Sequence, residues 1–268
     1  MGAMDWFEIG RMDELGRMDT PSHRLDARAK VIVTLAFIVV VMSFPRHEVS
    51  ALTPFLLYPV VFLSLGRIPA RHIVKKILVA APFALVIGIF NPIMDREPVF
   101  AIGSVVITGG WISFASILFR FVLTVGAALA LVACTGMVRL GAGLEQLGVP
   151  RVFVVQLLFL YRYLFILADE GYKLKKGVEL RSAGTHALRL RVYGSLIGHL
   201  LLRSLDRAER IYRAMVARGF DGEMRVMRRS YFRPTDWIFI AGWLAFFAAG
   251  RVWNLAEGLG RLLTGGAL

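Results

Sequence analysis

The sequence predicts an all-α integral membrane protein, with about five transmembrane helices and a basic cytoplasmic segment inserted before the last of them. Three observations lead to this prediction. Hydrophobic residues make up 57% of the 268 residues, and the mean hydropathy is +0.63. The formal net charge is nevertheless +13. The basic residues alternate with long apolar runs, a pattern typical of membrane spans separated by basic cytoplasmic segments.

Apolar runs of about the length that a bilayer requires, roughly twenty residues, recur along the chain. The predicted spans cover residues 31–44, 51–65, 77–93, 113–138 and 236–253. Pro54, Pro59 and Pro82 fall inside spans, where neighbouring helices or water can satisfy the freed carbonyl groups. Between the third and fourth runs, "FAIGSVVITGGW" predicts a small β-hairpin with Gly109–Gly110 as its turn.

Lysine and arginine in the connections set the expected orientation. The N-terminal segment and residues 66–76 are rich in basic residues, whereas the first and third connections offer only Arg46 and Arg96. The positive-inside rule therefore places the N-terminus and residues 66–76 in the cytoplasm.

One further apolar run, residues 152–167, breaks this pattern if it crosses the membrane. Crossing would put the arginine-rich residues 169–233 outside, against the positive-inside rule. The run also carries Gln156 and Arg162, which are costly at the bilayer centre. We therefore expect it to lie along the cytoplasmic face. The expected organisation is a cytoplasmic N-terminal segment (1–30), a four-helix transmembrane part (31–138), a cytoplasmic insert (139–233), a last transmembrane helix (234–253) and a C-terminal tail (254–268).

The insert is predicted to contain two long helices, over residues 152–182 and 188–218. In the second, apolar residues recur at helical spacing on one side, and arginines occupy another. Each helix ends in an arginine with small residues nearby, Arg181 in "ELRSAG" and Arg218 in "VARGF". One interpretation is a helix C-cap, with Gly219 left-handed and Arg218 at the negative end of the helix dipole. The repetition also favours docking to a partner, because a guanidinium can bond carboxylates or helix-end carbonyls in a bidentate manner.

Several classes of site are excluded or disfavoured. A single cysteine, Cys134, excludes an intramolecular disulfide and a cysteine-rich metal centre, and the scattered histidines form no H-x-x-x-H pair. No G-x-x-x-x-G-K-[ST] loop is present to hold nucleotide phosphates. Arginines interleaved with apolar runs do not form the folded basic surface that nucleic acid requires. Asp169 and Glu170 are adjacent on a helix and point in different directions, and we expect nothing to complement them as a catalytic pair.

Two features of the fourth span bear on its packing. Gly126, Ala130 and Cys134 form a stripe of small residues suited to close helix packing, for which packing inside this chain is the preferred interpretation. Arg120 is the clearest charge within the spans, and we expect it to extend outward to the interface.

Short motifs in a fixed order give the sequence a family resemblance. They are "HRLDARAK" (23–30), "FNP" (90–92), "GLEQLGVPR" (143–151) and "MVARGFDG" (215–222). From about residue 20 to 250 the sequence resembles the transmembrane T component of energy-coupling factor (ECF) transporters, and it is most similar to the cobalt- and nickel-type CbiQ proteins.

The resemblance implies that the two insert helices are coupling helices that cross in an X. In the family, each ends in an Ala-Arg-Gly signature whose arginine docks into an ATPase subunit. The second signature is intact here as Ala217-Arg218-Gly219. The first is degenerate, because Leu180-Arg181-Ser182 keeps only the arginine, although Ala183-Gly184 follow. The implied coupling residues are Arg181, Arg218, Ala217, Gly219, Ser182 and Gly184.

The resemblance also implies partners and a role. The chain would assemble in the cell membrane, among lipids, with two cytoplasmic ABC ATPase subunits and a small substrate-binding S component. It would carry no catalytic residue, metal or cofactor, since ATP and Mg²⁺ bind to the ATPases. Cobalt or nickel is the implied substrate. The alternatives are the T component of a vitamin ECF importer, the permease of an ordinary ABC transporter and, from another class, a membrane-embedded transferase.

Overall fold

The computed structural model describes residues 25–45, 49–94, 98–102, 105–181, 190–221 and 232–252. The chain forms two compact units. The first, here called the membrane unit, lies within Leu15–Gly143 and Ser230–Leu268, and the second, the insert unit, lies within Leu144–Arg229. The predicted C-terminal tail, most of the predicted N-terminal segment and the signature residues Ser182 and Gly184 lie outside the described residues.

The described elements are helical apart from one hairpin, as expected of an all-α membrane protein. A 3-10 segment, Ser50–Leu56, precedes the second helix. In chain order the elements are α1 (Ala27–Met42), α2 (Leu57–Gly66), α3 (Ala70–Gly88), α4 (Phe90–Met94), β1 (Pro98–Ile102), β2 (Val105–Thr108), α5 (Gly109–Thr135), α6 (Met137–Gln146), α7 (Arg151–Arg181), α8 (Leu190–Ala217) and α9 (Pro234–Val252).

Local chemistry sets several of these boundaries. Helix α1 begins four residues before the predicted span because the carboxylate of Asp26 accepts a hydrogen bond from the Arg28 backbone N–H, as an N-cap does. Pro54 lies in the 3-10 segment, and Pro82 lies inside α3. Gly136, with φ of +77°, separates α5 from α6.

The hairpin is present, but its predicted turn is wrong. Strands β1 and β2 pair antiparallel, and Ile102 is the register partner of Val105. The connection therefore lies between Ile102 and Val105. Gly109 and Gly110 instead form the first turn of α5, where both are buried. The double glycine follows the second strand and does not connect the pair.

An aromatic cluster forms the centre of the membrane unit. Tyr58 packs against Phe37, with ring centroids 4.7 Å apart, and against Trp243, at 4.9 Å. Phe37 also lies 5.5 Å from Phe247. The Tyr58 hydroxyl is satisfied by the Thr34 hydroxyl at 2.7 Å. Helices α1, α2 and α9 thus share one core, in which edge-to-face and tilted ring pairs add to simple burial.

The small-residue stripe of α5 is buried inside the chain, as preferred from the sequence. Gly126 faces Ile77 of α3, and Ala130 is fully buried. Cys134 lies against Gly66, where an added Cβ would come within 2.6 Å of its Sγ. The stripe therefore lets α5 approach α2 and α3 closely.

Contacts at both ends of the helices define their directions. At one end the Asp26 N–H of α1 meets the Asp236 carboxylate of α9, and at the other Arg251 of α9 reaches the Ser43 carbonyl beyond α1. Helices α1 and α9 therefore run in the same direction. Helix α5 runs oppositely, since its Cys134 carbonyl lies at Lys30 and its Arg120 donates to the Pro45 carbonyl at 2.6 Å.

The lengths of the described helices bear on which ones cross a membrane. Three stretches are long and apolar enough to do so: Ala70–Pro92, Gly109–Thr135 and Arg151–Arg181. The predicted first and last spans form helices of 16 and 19 residues. These are about 24 and 28 Å long at 1.5 Å per residue, short for a typical hydrocarbon core of about 30 Å.

Candidate functional site

Two long helices dominate the insert unit. Helix α7 has 31 residues and α8 has 28, and each differs from its predicted bounds by no more than two residues. Only Val154 is buried in α7, and none of the described side chains of α8 is buried. Most of this surface is therefore open to solvent, lipid or a partner.

The end of α8 has the C-cap that the sequence predicted. Gly219 is left-handed, with φ of +81°. The Gly219 N–H donates to the Val216 carbonyl at 2.9 Å, and the Phe220 N–H donates to the Met215 carbonyl at 3.0 Å. These paired bonds are those of a Schellman motif. The motif turns the chain directly after Arg218, whose side chain is exposed.

The end of α7 also presents an exposed arginine. Arg181 is the last residue of the helix, and it follows Leu180, which is 76% exposed. The residues that follow it, 182–189, lie outside the described part of the chain. Of the predicted coupling residues, the structure thus places Arg181 and Ala217-Arg218-Gly219, at the ends of their respective helices.

The two helices meet at an ion-pair cluster centred on Glu170. Its carboxylate accepts a hydrogen bond from the Arg207 guanidinium at 2.6 Å and lies 3.6 Å from Arg203. Beside it, Gly171 faces Leu200 of α8, where an added Cβ would lie 3.5 Å from the leucine side chain. These contacts lie well inside both helices and away from their ends.

This cluster and a neighbouring ion pair give the two adjacent carboxylates their partners. Glu170 is complemented by two arginines, and Asp169 forms an ion pair with Lys173 at 2.6 Å. Both carboxylates thus hold cations in place and do not face each other as an acid–base pair. The available signal was on α8, where Arg203 and Arg207 are four residues apart and therefore share one helix face.

The apolar stripe of α8 was recognised by its spacing, but α7 does not cover it. Ile197, Leu201, Leu205 and Tyr212 are 65%, 57%, 58% and 62% exposed. The face towards α7 instead contains Leu200 and Arg207. Helical periodicity identifies a stripe, but it does not say which neighbour covers it.

The membrane unit has a polar junction that sequence reasoning missed. The Asp236 carboxylate accepts hydrogen bonds from the backbone N–H groups of Asp26, at 2.9 Å, and Arg233, at 2.8 Å. Asp26 in turn pairs with Arg28 at 3.0 Å. The signal was an aspartate in the first turn of a helix, in "RPTDW", where a carboxylate can cap backbone N–H groups.

Lys30 lies near this junction and is fully buried, with 1% of its surface exposed. Its Nζ donates to the Cys134 carbonyl at 3.0 Å. That carbonyl belongs to the last turn of α5, where carbonyls lack partners within the helix and a cation is favoured by the helix dipole. Lys30 therefore ties the start of α1 to the end of α5.

Among the described residues, no cluster of three or more histidine, cysteine, aspartate or glutamate side chains could hold a metal ion.

Comparison with known proteins gives one family. A model of the cobalt transport protein family CbiQ matches residues 18–228. The chain is 38% identical over 89 residues to the cobalt transport protein CbiQ of Rhodobacter capsulatus, covering 32% of this chain and 36% of that protein. It is 35% identical over 114 residues to the nickel permease LarQ of Lactiplantibacillus plantarum, covering 42% and 40%.

A more extended match is to the energy-coupling factor transporter transmembrane protein EcfT of Heliobacterium modesticaldum. The identity is 27% over 222 residues, which is 76% of this chain and 82% of that protein. The matched region of the family model includes most of both units.

Proposed function

The chain belongs to the CbiQ family of cobalt transport proteins, and on that premise we propose that it is the transmembrane T component of an ECF-type importer of cobalt or nickel. In this proposal the chain transmits motion and catalyses no reaction. Two cytoplasmic ATPases bind and hydrolyse ATP with Mg²⁺, and a small membrane S component binds the substrate. The absence of a phosphate-binding loop from the sequence is consistent with this division of labour.

The proposed coupling residues are Arg181 and Arg218, one for each ATPase. The observation that carries this assignment is the Schellman motif at Gly219, which ends α8 immediately after an exposed Arg218. Around Gly219 an added Cβ would meet nothing within 4 Å, so a partner surface can approach closely. The planar guanidinium can then form bidentate bonds with acceptors in a groove. We propose that Ser182 and Gly184 are the small neighbours of Arg181, as Ala217 and Gly219 are of Arg218.

The direction of α9 supports a cytoplasmic insert. Helices α1 and α9 run in the same direction, so the number of crossings between them must be odd for both to span the membrane. Helices α2, α3 and α5 already give an odd number of crossings. If α7 also crossed the membrane, α8 would have to cross it again in the opposite direction. That return is disfavoured by the arginines of α8, at 203, 207, 210 and 213, each of which is costly in a bilayer. We therefore propose that α7 stays on the cytoplasmic side, despite its length, and that the N-terminus is cytoplasmic.

The choice of substrate follows the names of the relatives. CbiQ is named for cobalt and LarQ for nickel, while the EcfT name specifies no substrate. A transition-metal cargo is therefore preferred over a vitamin.

The proposal is tested by isolating the tagged chain from its native membrane and identifying the proteins that remain bound. Two ABC ATPases and one small membrane protein are expected, with ATP-dependent cobalt or nickel uptake after reconstitution in vesicles. Recovery of the chain with no ATPase would refute the T-component assignment. An intact complex that takes up a vitamin but neither metal would refute only the substrate.

A further inference from the structure

We propose that Glu170 is a positioning residue that fixes where α7 and α8 cross, acting through Arg207 and Arg203. By fixing the crossing it sets the distance between the two exposed arginine ends, Arg181 and Arg218. The consequence for transport rests on the proposed function, but the effect on the crossing does not.

The contact of Glu170 with Arg203 and Arg207, here called the pin, differs from the other ion pairs of these helices. Glu170 is the partner of both arginines, and its side chain retains only 17% of its exposure, against 36% for Arg207 and 58% for Arg203. The ion pairs Asp169–Lys173 and Glu209–Arg213 join residues of one helix and are largely exposed, and Arg151 at the start of α7 pairs with Glu145 of α6. The Glu170 contacts instead join one helix to the other.

Two unequal contacts allow the pin to adjust. The Arg207 contact is short, at 2.6 Å, and the Arg203 contact is longer, at 3.6 Å. Because these arginines lie about one helical turn apart, a small sliding or rotation of α8 would exchange the tighter partner. A groove beside the pair, lined by Ile166, Lys173 and Leu174 of α7, gives the side chains room to move.

The position of the pin along each helix is symmetrical. Arg181 follows Glu170 by 11 residues, and Arg218 follows Arg207 by 11 residues. Each arm is therefore about 16 Å long at 1.5 Å per residue. A change of about 10° in the crossing angle moves one arginine end by roughly 3 Å relative to the other helix, on an arm of that length. The cluster is thus placed to control both docking ends equally.

The partial burial of the cluster favours a role in geometry. A partly buried ion pair adds little net stability once desolvation is counted, and its best-attested use is to specify one register among alternatives. Removing one partner leaves a poorly hydrated charge, which favours a different packing of α7 against α8. The expected effect of substitution is accordingly a change in the crossing.

The test uses the purified full-length chain in nanodiscs, with spin labels on the two arms. The labels are attached at Lys176→Cys and Ala214→Cys, both exposed positions, in a Cys134→Ala background. Pulsed electron paramagnetic resonance then measures the distance between them. We expect one narrow distribution in the parent, and a shift or broadening of about 2 Å or more in Glu170→Gln and Arg207→Gln, because the labels lie only about 9 and 10 Å along their helices from the cluster.

A double-mutant comparison isolates the contact. Glu170→Gln combined with Arg207→Gln should disturb the distribution no more than Glu170→Gln alone, because Glu170→Gln already weakens the contact with Arg207. Arg203→Gln should have a smaller effect, since its contact is longer. The matched control is Arg210→Gln, which removes an exposed positive charge from the same helix and should leave the distribution unchanged.

Unchanged distances in Glu170→Gln and Arg207→Gln would overturn the inference, as would an equal change in Arg210→Gln. If Glu170→Gln does not yield monodisperse protein, Arg207→Gln tests the same contact from the other side. In the assembled transporter, the pin variants should lower substrate uptake per ATP hydrolysed. If distances change while no ATPase ever binds the chain, the proposed function fails and the positioning role stands.

Discussion

The backbone N–H of Asp26 donates a 2.9 Å hydrogen bond to the carboxylate of Asp236, across 210 residues of sequence. The bond joins the first turn of α1 to the first turn of α9, and both aspartates are almost completely buried. Helices α1 and α9 lie on either side of the insert unit in the chain, and the bond holds their first turns together within the membrane unit. The bond therefore fixes the first turn of α9 against the start of α1.

Substitution of Asp236 should therefore destabilise the membrane unit. Asp236→Ala leaves the buried N–H of Asp26 without its acceptor, which costs about 1–3 kcal/mol. Asp236→Asn should cost less, because the amide oxygen can still accept one of the two hydrogen bonds. Thermal unfolding in detergent measures both. The control is Asp206→Ala, at an exposed position of α8; a loss as large as that of Asp236→Ala would contradict the structural role of the junction.

Charge reversal at Arg218 should release the ATPases. Arg218→Glu removes the guanidinium at the capped end of α8 and places a carboxylate against the groove that would receive it. Losing a buried charged contact of this kind costs about 2–5 kcal/mol, so retention of ATPase on the tagged chain should fall by more than about tenfold. Arg210→Glu changes the charge equally on the same helix and should retain both subunits. Undiminished retention by Arg218→Glu would remove Arg218 from the coupling site.

The first docking end should be less sensitive. Arg181 lacks the small neighbours of Arg218, because Leu180 and Ser182 flank it, and the surrounding groove is expected to close less tightly. Arg181→Glu should therefore weaken ATPase retention and uptake less than Arg218→Glu does, when both are measured in the same membranes. Lys176→Glu, an exposed change one turn earlier, is the control. Equal severity at Arg181 and Arg218 would show that the degenerate signature has lost nothing.

The insert should be accessible only from the cytoplasm. In a Cys134→Ala background, a cysteine at exposed Lys176 should react with an impermeant thiol reagent only after the membrane is opened. A cysteine at Trp111, which is 58% exposed near the start of α5, should react from outside. External labelling at 176 would mean that α7 crosses the membrane.

The sequence predicted the features that depend on local pattern. The bounds of α7 and α8 and the left-handed Gly219 were predictable because periodicity and capping act within a few residues. The partners of Glu170 and Asp236 were not, since those contacts join residues far apart in sequence. Asp236 looked like an ordinary first-turn carboxylate, and its bond to Asp26 appears only when α1 and α9 are packed. The hairpin turn was misplaced because Gly109–Gly110 is an equally good turn and helix-start sequence.

The last prediction separates the cap from the charge at the end of α8. Gly219→Ala keeps Arg218 but forces alanine towards φ of +81°, which should cost more than about 1 kcal/mol or unwind the cap. The cost is conformational and not steric, because nothing lies within 4 Å of the added Cβ. At Gly177 inside α7 an added Cβ also meets nothing within 4 Å, but the backbone there is helical. Gly177→Ala should therefore stabilise the helix by about 1 kcal/mol. If the cap positions Arg218, Gly219→Ala should reduce ATPase retention while Gly177→Ala preserves it. Full retention in both would mean that the arginine docks without its Schellman motif.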